Sequence, residues 1–309
     1  FFHLNYFFVR SLLHIVEENR RFEPNGRIAY YLAAKDKRSL EASNILLISF
    51  HGLVNRDLRE FPFNNARSFK KNLPDDWCCL SVLDPLLFDD KELRGSFFIG
   101  SDSKLYVDLL LEEIVNVKQS LDKEFVYVVG GSASSLIATV IASRLKTTAI
   151  CMSPILLLKN YLKHIVRDLC DRHWHSDFEN LWEYNESLLK KECDFKRLYL
   201  LCNSSDYNHN ILQSFTYYRE AMEQAGKNRS AQFLESELSK KISLQVTDWG
   251  KSGHFVPGID VISSFLTEVA LRDSEVHNFS ADTSPRSAPK DVYRPAINTD
   301  LKSLTDTIW

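Results

Sequence analysis

Between residues 27 and 247 the chain alternates short, near-continuous apolar runs with stretches of helical periodicity, and this alternation constrains the fold most. The runs are Arg27–Ala33, Ile45–Phe50, Cys78–Leu83, Phe125–Val129, Thr148–Met152, Leu198–Cys202 and Ile242–Thr247. Most lack the in-out alternation of a half-solvated strand, as expected of strands covered on both faces. Between them, Lys104–Leu121 places Leu105, Val107, Leu109, Leu110, Ile114 and Val117 close to a 3.6-residue period. Ser134–Leu145, Asn210–Gln224 and Ile259–Leu271 also read as helices. Strands alternating with helices predict a mainly parallel sheet flanked by helices. Residues 155–191 form a long helical insertion rich in aromatics (Trp174, Phe178, Trp182, Tyr184). It suits either a lid over a site or a plain helical subdomain with an aromatic core.

A chain of 309 residues has ample length for one large α/β domain, and its 44% hydrophobic and 26% charged residues are those of a globular protein. The expected division is one domain over residues 1–272 and a tail over 273–309. The tail contains Pro285, Pro289 and Pro295, lacks periodicity and reads as extended or partly disordered. A formal charge of -3 gives no global reason to bind nucleic acid. The six cysteines include no Cys-x-x-Cys pair, which fits a reduced, cytoplasmic protein better than a disulfide framework. Phe1–Val16 is interrupted by His3, Asn5, Arg10 and His14, so an amphipathic or packing helix is expected there, not a membrane span. No basic start marks a signal peptide, and the absence of an initiating Met suggests a chain trimmed from a longer one.

The strongest local signal is Gly130-Gly-Ser-Ala-Ser134, directly after an apolar run and before a helix. A strand turning sharply into a helix with serine at its tip is the nucleophile elbow of α/β hydrolases, written G-x-S-x-G. Small neighbours are required because the turn strains the serine backbone. Ser134 stands where that pattern has its second glycine. Neither a P-loop Lys-Ser/Thr nor a G-x-G-x-x-G pattern is present to favour phosphate binding.

A serine hydroxyl needs a base, and the base needs an orienting acid. In α/β hydrolases the chain order is serine, acid, histidine. Asp206 follows the run Leu198–Cys202 in the turn Asn203-Ser-Ser-Asp-Tyr-Asn-His-Asn, and His254 follows Ile242–Thr247 in Trp249-Gly-Lys-Ser-Gly-His-Phe. His209 is the nearest rival base but stands too close to the acid turn. Donors for an oxyanion are expected from the amide of Ala133 and from the loop Ser49-Phe-His-Gly52, with His51 either donating or lining the pocket. His173 and His175 have the spacing of a metal pair on a strand, but their surroundings read as helical, so no metal site is expected.

Ile48-SFHG, Leu83-Asp, Leu93-RGSFFIGSD, Val129-GGSASS, Cys202-NSSDYNH and Ser252-GHF together resemble bacterial capsule-biosynthesis proteins of the XcbB/CpsF type and related capsular polysaccharide O-acetyltransferases. The resemblance implies an α/β-hydrolase-like fold in which Ser132, Asp206 and His254 form a triad. It implies acetyl-CoA as cosubstrate with no bound cofactor, and a capsular polysaccharide or sugar acceptor. Other capsule-assembly enzymes are the implied partners, at a cytoplasmic station that could lie on the inner membrane face. The Arg94–Phe98 segment is expected near the site, with Phe50, Gly52 and Arg94 contacting substrate. An esterase or thioesterase using the same triad, or a non-catalytic assembly protein, is the alternative.

Overall fold

The apolar runs do become strands. The computed structural model describes residues 21–22, 28–56, 64–161, 163–191, 194–207, 210–221 and 241–281. Its strands are β1 (Arg21–Phe22), β2 (Tyr30–Ala33), β3 (Ile45–Phe50), β4 (Trp77–Val82), β5 (Phe125–Gly131), β6 (Thr148–Met152), β7 (Arg197–Asn203) and β8 (Ile242–Thr247). They form one sheet in the order β1-β2-β4-β3-β5-β6-β7-β8. From β4 to β8 all neighbours are parallel, whereas β2 runs antiparallel to both β1 and β4. The stretch Phe1–Val16, Cys193, His209 and the tail beyond Ala281 lie outside the described residues.

Full burial explains why the central strands read as unbroken apolar runs. Leu46, Leu47 and Ile48 of β3 point to both faces of the sheet, and all are 0% exposed. Helix α1 (Lys37–Ala42) precedes β3, α2 (Asn65–Lys70) precedes β4, and a single-turn α3 (Leu86–Asp89) follows β4. Helix α4 (Val107–Ser120) leads into β5, and α5 (Ser135–Arg144) joins β5 to β6. Every residue of α5 from Ser135 to Ser143 is buried, which is why its sequence is apolar nearly all round.

The 155–191 insertion carries α6 (Lys163–His173) and α7 (Phe178–Lys191). Leu169, Leu181, Leu188 and Leu189 join the main core. Asn185 of α7 clasps the preceding segment, accepting from the Leu158 N–H at 3.0 Å and donating to the Leu156 carbonyl at 2.9 Å. Trp174 Nε1 donates to the Gly100 carbonyl at 3.1 Å. The lid expectation is therefore narrowed: these helices form a packed flank, and among the described residues of the insertion Tyr161 alone lines the site described below.

The chain divides into two compact units, Phe1–Thr267 and Glu268–Trp309. The first unit holds the whole sheet. In the second, the expected tail is corrected at its start: helix α8 (Ile259–Ala281) continues beyond Arg272. The polar shift there contains no Pro or Gly before Ala281, so nothing stops the helix.

Candidate active site

Strand β3 is linked onward to β4 on one side and β5 to β6 on the other, so the order reverses between β3 and β5. In open parallel sheets the crevice at such a reversal, beyond the carboxyl ends of the strands, is where ligands bind. Ser132 stands there, immediately after β5, with φ 54°, a left-handed conformation that costs a non-glycine residue energy. The glycines explain how the turn closes. A Cβ on Gly130 would lie 2.4 Å from the Ser134 carbonyl oxygen, and one on Gly131 would lie 3.2 Å from Val256 Cγ1. Ser134, the departure from the glycine pattern, is put to use. Its buried hydroxyl accepts from the Gly131 N–H at 3.0 Å and lies 3.1 Å from the carbonyls of Phe50 and Gly131, tying the turn to the end of β3.

The expected base reaches the serine, and the expected acid reaches the base. His254 Nε2 lies 2.8 Å from Ser132 Oγ, and His254 Nδ1 lies 2.9 Å from Asp206 Oδ2. A carboxylate only accepts, so Nδ1 carries the proton and Nε2 presents its lone pair to the serine hydroxyl. The Asp206 side chain is 6% exposed and that of His254 28%. One residue missed by sequence reasoning holds these two loops together. Asn203, at the end of β7 and 0% exposed, donates through Nδ2 to the carbonyls of Lys251 at 2.7 Å and Gly253 at 2.8 Å. Its own carbonyl accepts from the Asp206 N–H at 3.0 Å. Ser153 Oγ, from the end of β6, pins the loop beyond the histidine by donating to the Phe255 carbonyl at 2.6 Å.

The oxyanion side needs one correction. The His51 ring is not a free donor: the Asp84 N–H donates to its Nε2 at 3.1 Å, so the proton sits on Nδ1 and is given to the Gly52 carbonyl at 2.8 Å. His51 therefore shapes the loop and lines the cleft. Gly52 packs so close that a Cβ there would meet the Gly131 oxygen at 3.0 Å and Ser132 Cβ at 3.7 Å. Ala133 directly follows the nucleophile and is buried. Behind this loop lies the Arg94–Phe98 segment. Phe98 packs edge-on against Phe50 with ring centroids 5.1 Å apart, and Asp84 receives both the Ser96 N–H (2.9 Å) and hydroxyl (2.6 Å). Phe97 and Phe98 both take positive φ, 55° and 62°, so this support is itself strained. Arg94 is the second correction. Its side chain is exposed and absent from the pocket wall, and only its carbonyl takes part, accepting from the Val54 N–H at 2.7 Å.

A cleft of about 420 Å³ opens beside Ser132. Phe50 and Gly52 line it as expected, together with Phe69, Val129, Met152 and Ile262, which no local motif marks. They come from four separate elements, and each reads in sequence as ordinary core. Tyr161 also lines it; burial first and the nearby Asp206 charge second push its hydroxyl up to about 12, so it is a neutral donor at working pH. Cysteine is excluded as the nucleophile among the described residues nearby, because burial pushes the Cys202 thiol up to about 11 and Cys151 up to about 12. His173 and His175 serve different carboxylates, Asp90 at 3.0 Å and Asp102 at 2.9 Å, and no metal-binding cluster occurs among the described residues.

No protein-family model matches the chain, and no curated protein sequence does. Solved structures do. An S-formylglutathione hydrolase from Agrobacterium tumefaciens is 12% identical, with TM-score 0.53 over 83% of this chain and 93% of its own. Esterase 2 of Thermogutta terrifontis, solved phosphonylated by sarin, is 10% identical with TM-score 0.51 over 87% of this chain and 98% of its own. Est1E from Butyrivibrio proteoclasticus, solved with ferulic acid, is 12% identical with TM-score 0.50 over 83% and 99%. The fold is that of the α/β hydrolases. Among the described residues no helix is long and apolar enough to cross a membrane.

Proposed function

We propose that the chain is a serine-dependent acyl hydrolase, acting on an ester or thioester. The observation that carries the reading is the unbroken hydrogen-bonded series Ser132 Oγ, His254, Asp206, with the serine held at φ 54° on a strand-to-helix turn. Ser132 Oγ attacks the acyl carbon while His254 Nε2 takes its proton, and Asp206 stabilises the resulting imidazolium. The carbonyl oxygen becomes an oxyanion facing the amides of Ala133 and the Gly52 loop. Collapse expels the alcohol or thiol, protonated by His254, and leaves an acyl-serine. Water, deprotonated by the same histidine, then releases the acid. That a solved S-formylglutathione hydrolase and a solved esterase share the fold supports the reading. Labelling with a fluorophosphonate tests it: the parent protein should be labelled at Ser132 and hydrolyse simple esters, and Ser132→Ala should do neither.

A second reading replaces water with a sugar hydroxyl, making the chain an O-acetyltransferase that uses acetyl-CoA and a capsular polysaccharide, alongside other capsule-assembly enzymes. Besides the capsule-protein resemblance, the partly exposed Trp249 on the loop that carries His254 favours it, since an indole face suits a sugar ring. Free CoA and acetylated glycan, measured with and without polysaccharide, separate the two. Acceptor-independent turnover supports hydrolysis.

A further inference from the structure

We infer that the site selects an uncharged acyl group that is apolar and longer than acetyl, an inference that rests on the acyl-hydrolase reading. The wall of the cleft carries no Lys, Arg, Asp or Glu among the described residues. Its titratable members are His254, spent on catalysis, Tyr161, held neutral, and His51, whose two ring nitrogens are engaged by the Asp84 N–H and the Gly52 carbonyl. A carboxylate or phosphate drawn into this space would lose its water and meet no cation, only the neutral groups of Tyr161 and Asn65.

The lining divides into a buried set, its closed end, and a partly exposed set, its open end. Phe69, Val129, Met152 and Ile262 are each 2% to 4% exposed, whereas Leu53 and Ile259 are partly exposed. The leaving group must be protonated at His254 Nε2 and then depart, so it belongs at the open end beside that side chain. The acyl group remains covalently fixed on Ser132 until water arrives, so the closed apolar end suits it. An acetyl group would leave most of about 420 Å³ unfilled and forfeit the dispersion contacts of the lining. Each further methylene is removed from water, raising kcat/KM by about fourfold while space remains.

The experiment measures kcat/KM for 4-nitrophenyl esters from acetate to hexanoate, with the hemisuccinate set against the similarly sized pentanoate. Expected is a rise of about 250-fold from acetate to hexanoate and a loss of about a hundredfold for the hemisuccinate. Ile262→Trp should lower the hexanoate-to-acetate ratio at least about tenfold. Phe69→Trp, on a different element of the same closed end, gives the same readout should the first variant not fold. A flat or inverted chain-length profile, or a hemisuccinate as good as the pentanoate, overturns the inference and leaves hydrolysis standing. Fluorophosphonate labelling of Ser132 without turnover of any ester also overturns it. Failure of both labelling and turnover overturns the hydrolase reading itself.

Discussion

The two halves of the site are held by different means. The nucleophile half is set by main chain: β5 is paired on both sides, Ser132 is forced into the left-handed region, and Gly130 and Gly131 leave no room for larger residues. The acid–base half hangs on loops after β7 and β8, and side chains fix it, chiefly Asn203 and Ser153. A turn that must store strain is over-determined by the sheet beneath it. Loops that only have to deliver two side chains can be fixed by a few hydrogen bonds. The first arrangement tolerates almost no change of shape, and the second almost no loss of a donor.

Substitutions can break or sharpen that contrast. The largest expected effect is that of Ser132→Ala or His254→Ala, a fall of about 10⁴-fold or more in kcat, checked by steady-state ester hydrolysis. Asp206→Asn should cost about 10⁴-fold with thermal stability nearly unchanged, because the wrong histidine tautomer is then favoured. In the nucleophile half, Gly130→Ala should destabilise the fold by about 3 kcal/mol or more, read from chemical denaturation, since its Cβ would lie 2.4 Å from a backbone oxygen. In the other half, Asn203→Ala should lower kcat about 100-fold, through displacement of His254, with little change in KM. Should Asn203→Ala instead unfold the protein while Gly130→Ala folds normally, the contrast drawn above is wrong. The smallest effect is expected of Ser153→Ala, a stability loss of about 1 kcal/mol from one hydrogen bond.

The same contrast explains what the sequence disclosed. Ile45–Phe50 and Thr148–Met152 are strands at the residues expected, because buried strands must be apolar along their whole length; Ile242–Thr247 is a strand as expected too, though only its first residue is buried. The Ser132 turn was legible because strain demands small residues in a short span, and Asp206 and His254 because strand order limits where they can stand. Asn203 gave no signal of its own: its importance lies in reaching carbonyls some fifty residues away, across two strands that pair only in the fold. His51 misled for the opposite reason. A histidine beside an oxyanion loop suggests chemistry, and only the contact with the Asp84 amide makes it a structural prop. The sequence also carries no sign that β2 reverses direction, since an apolar run reads the same in either sense.

Strand β8 is last in the strand order, and its burial falls away toward its carboxyl end, where Val246 is 52% exposed. His254, the proposed base, thus hangs from the margin of the sheet, and Ser132, the proposed nucleophile, from its middle. Margins open at lower free energy than centres. Mild heat or denaturant should therefore detach the imidazole first, silencing turnover while most of the sheet endures, and activity should return on cooling. The working lifetime of the protein is then governed by its rim, and its shape by its centre.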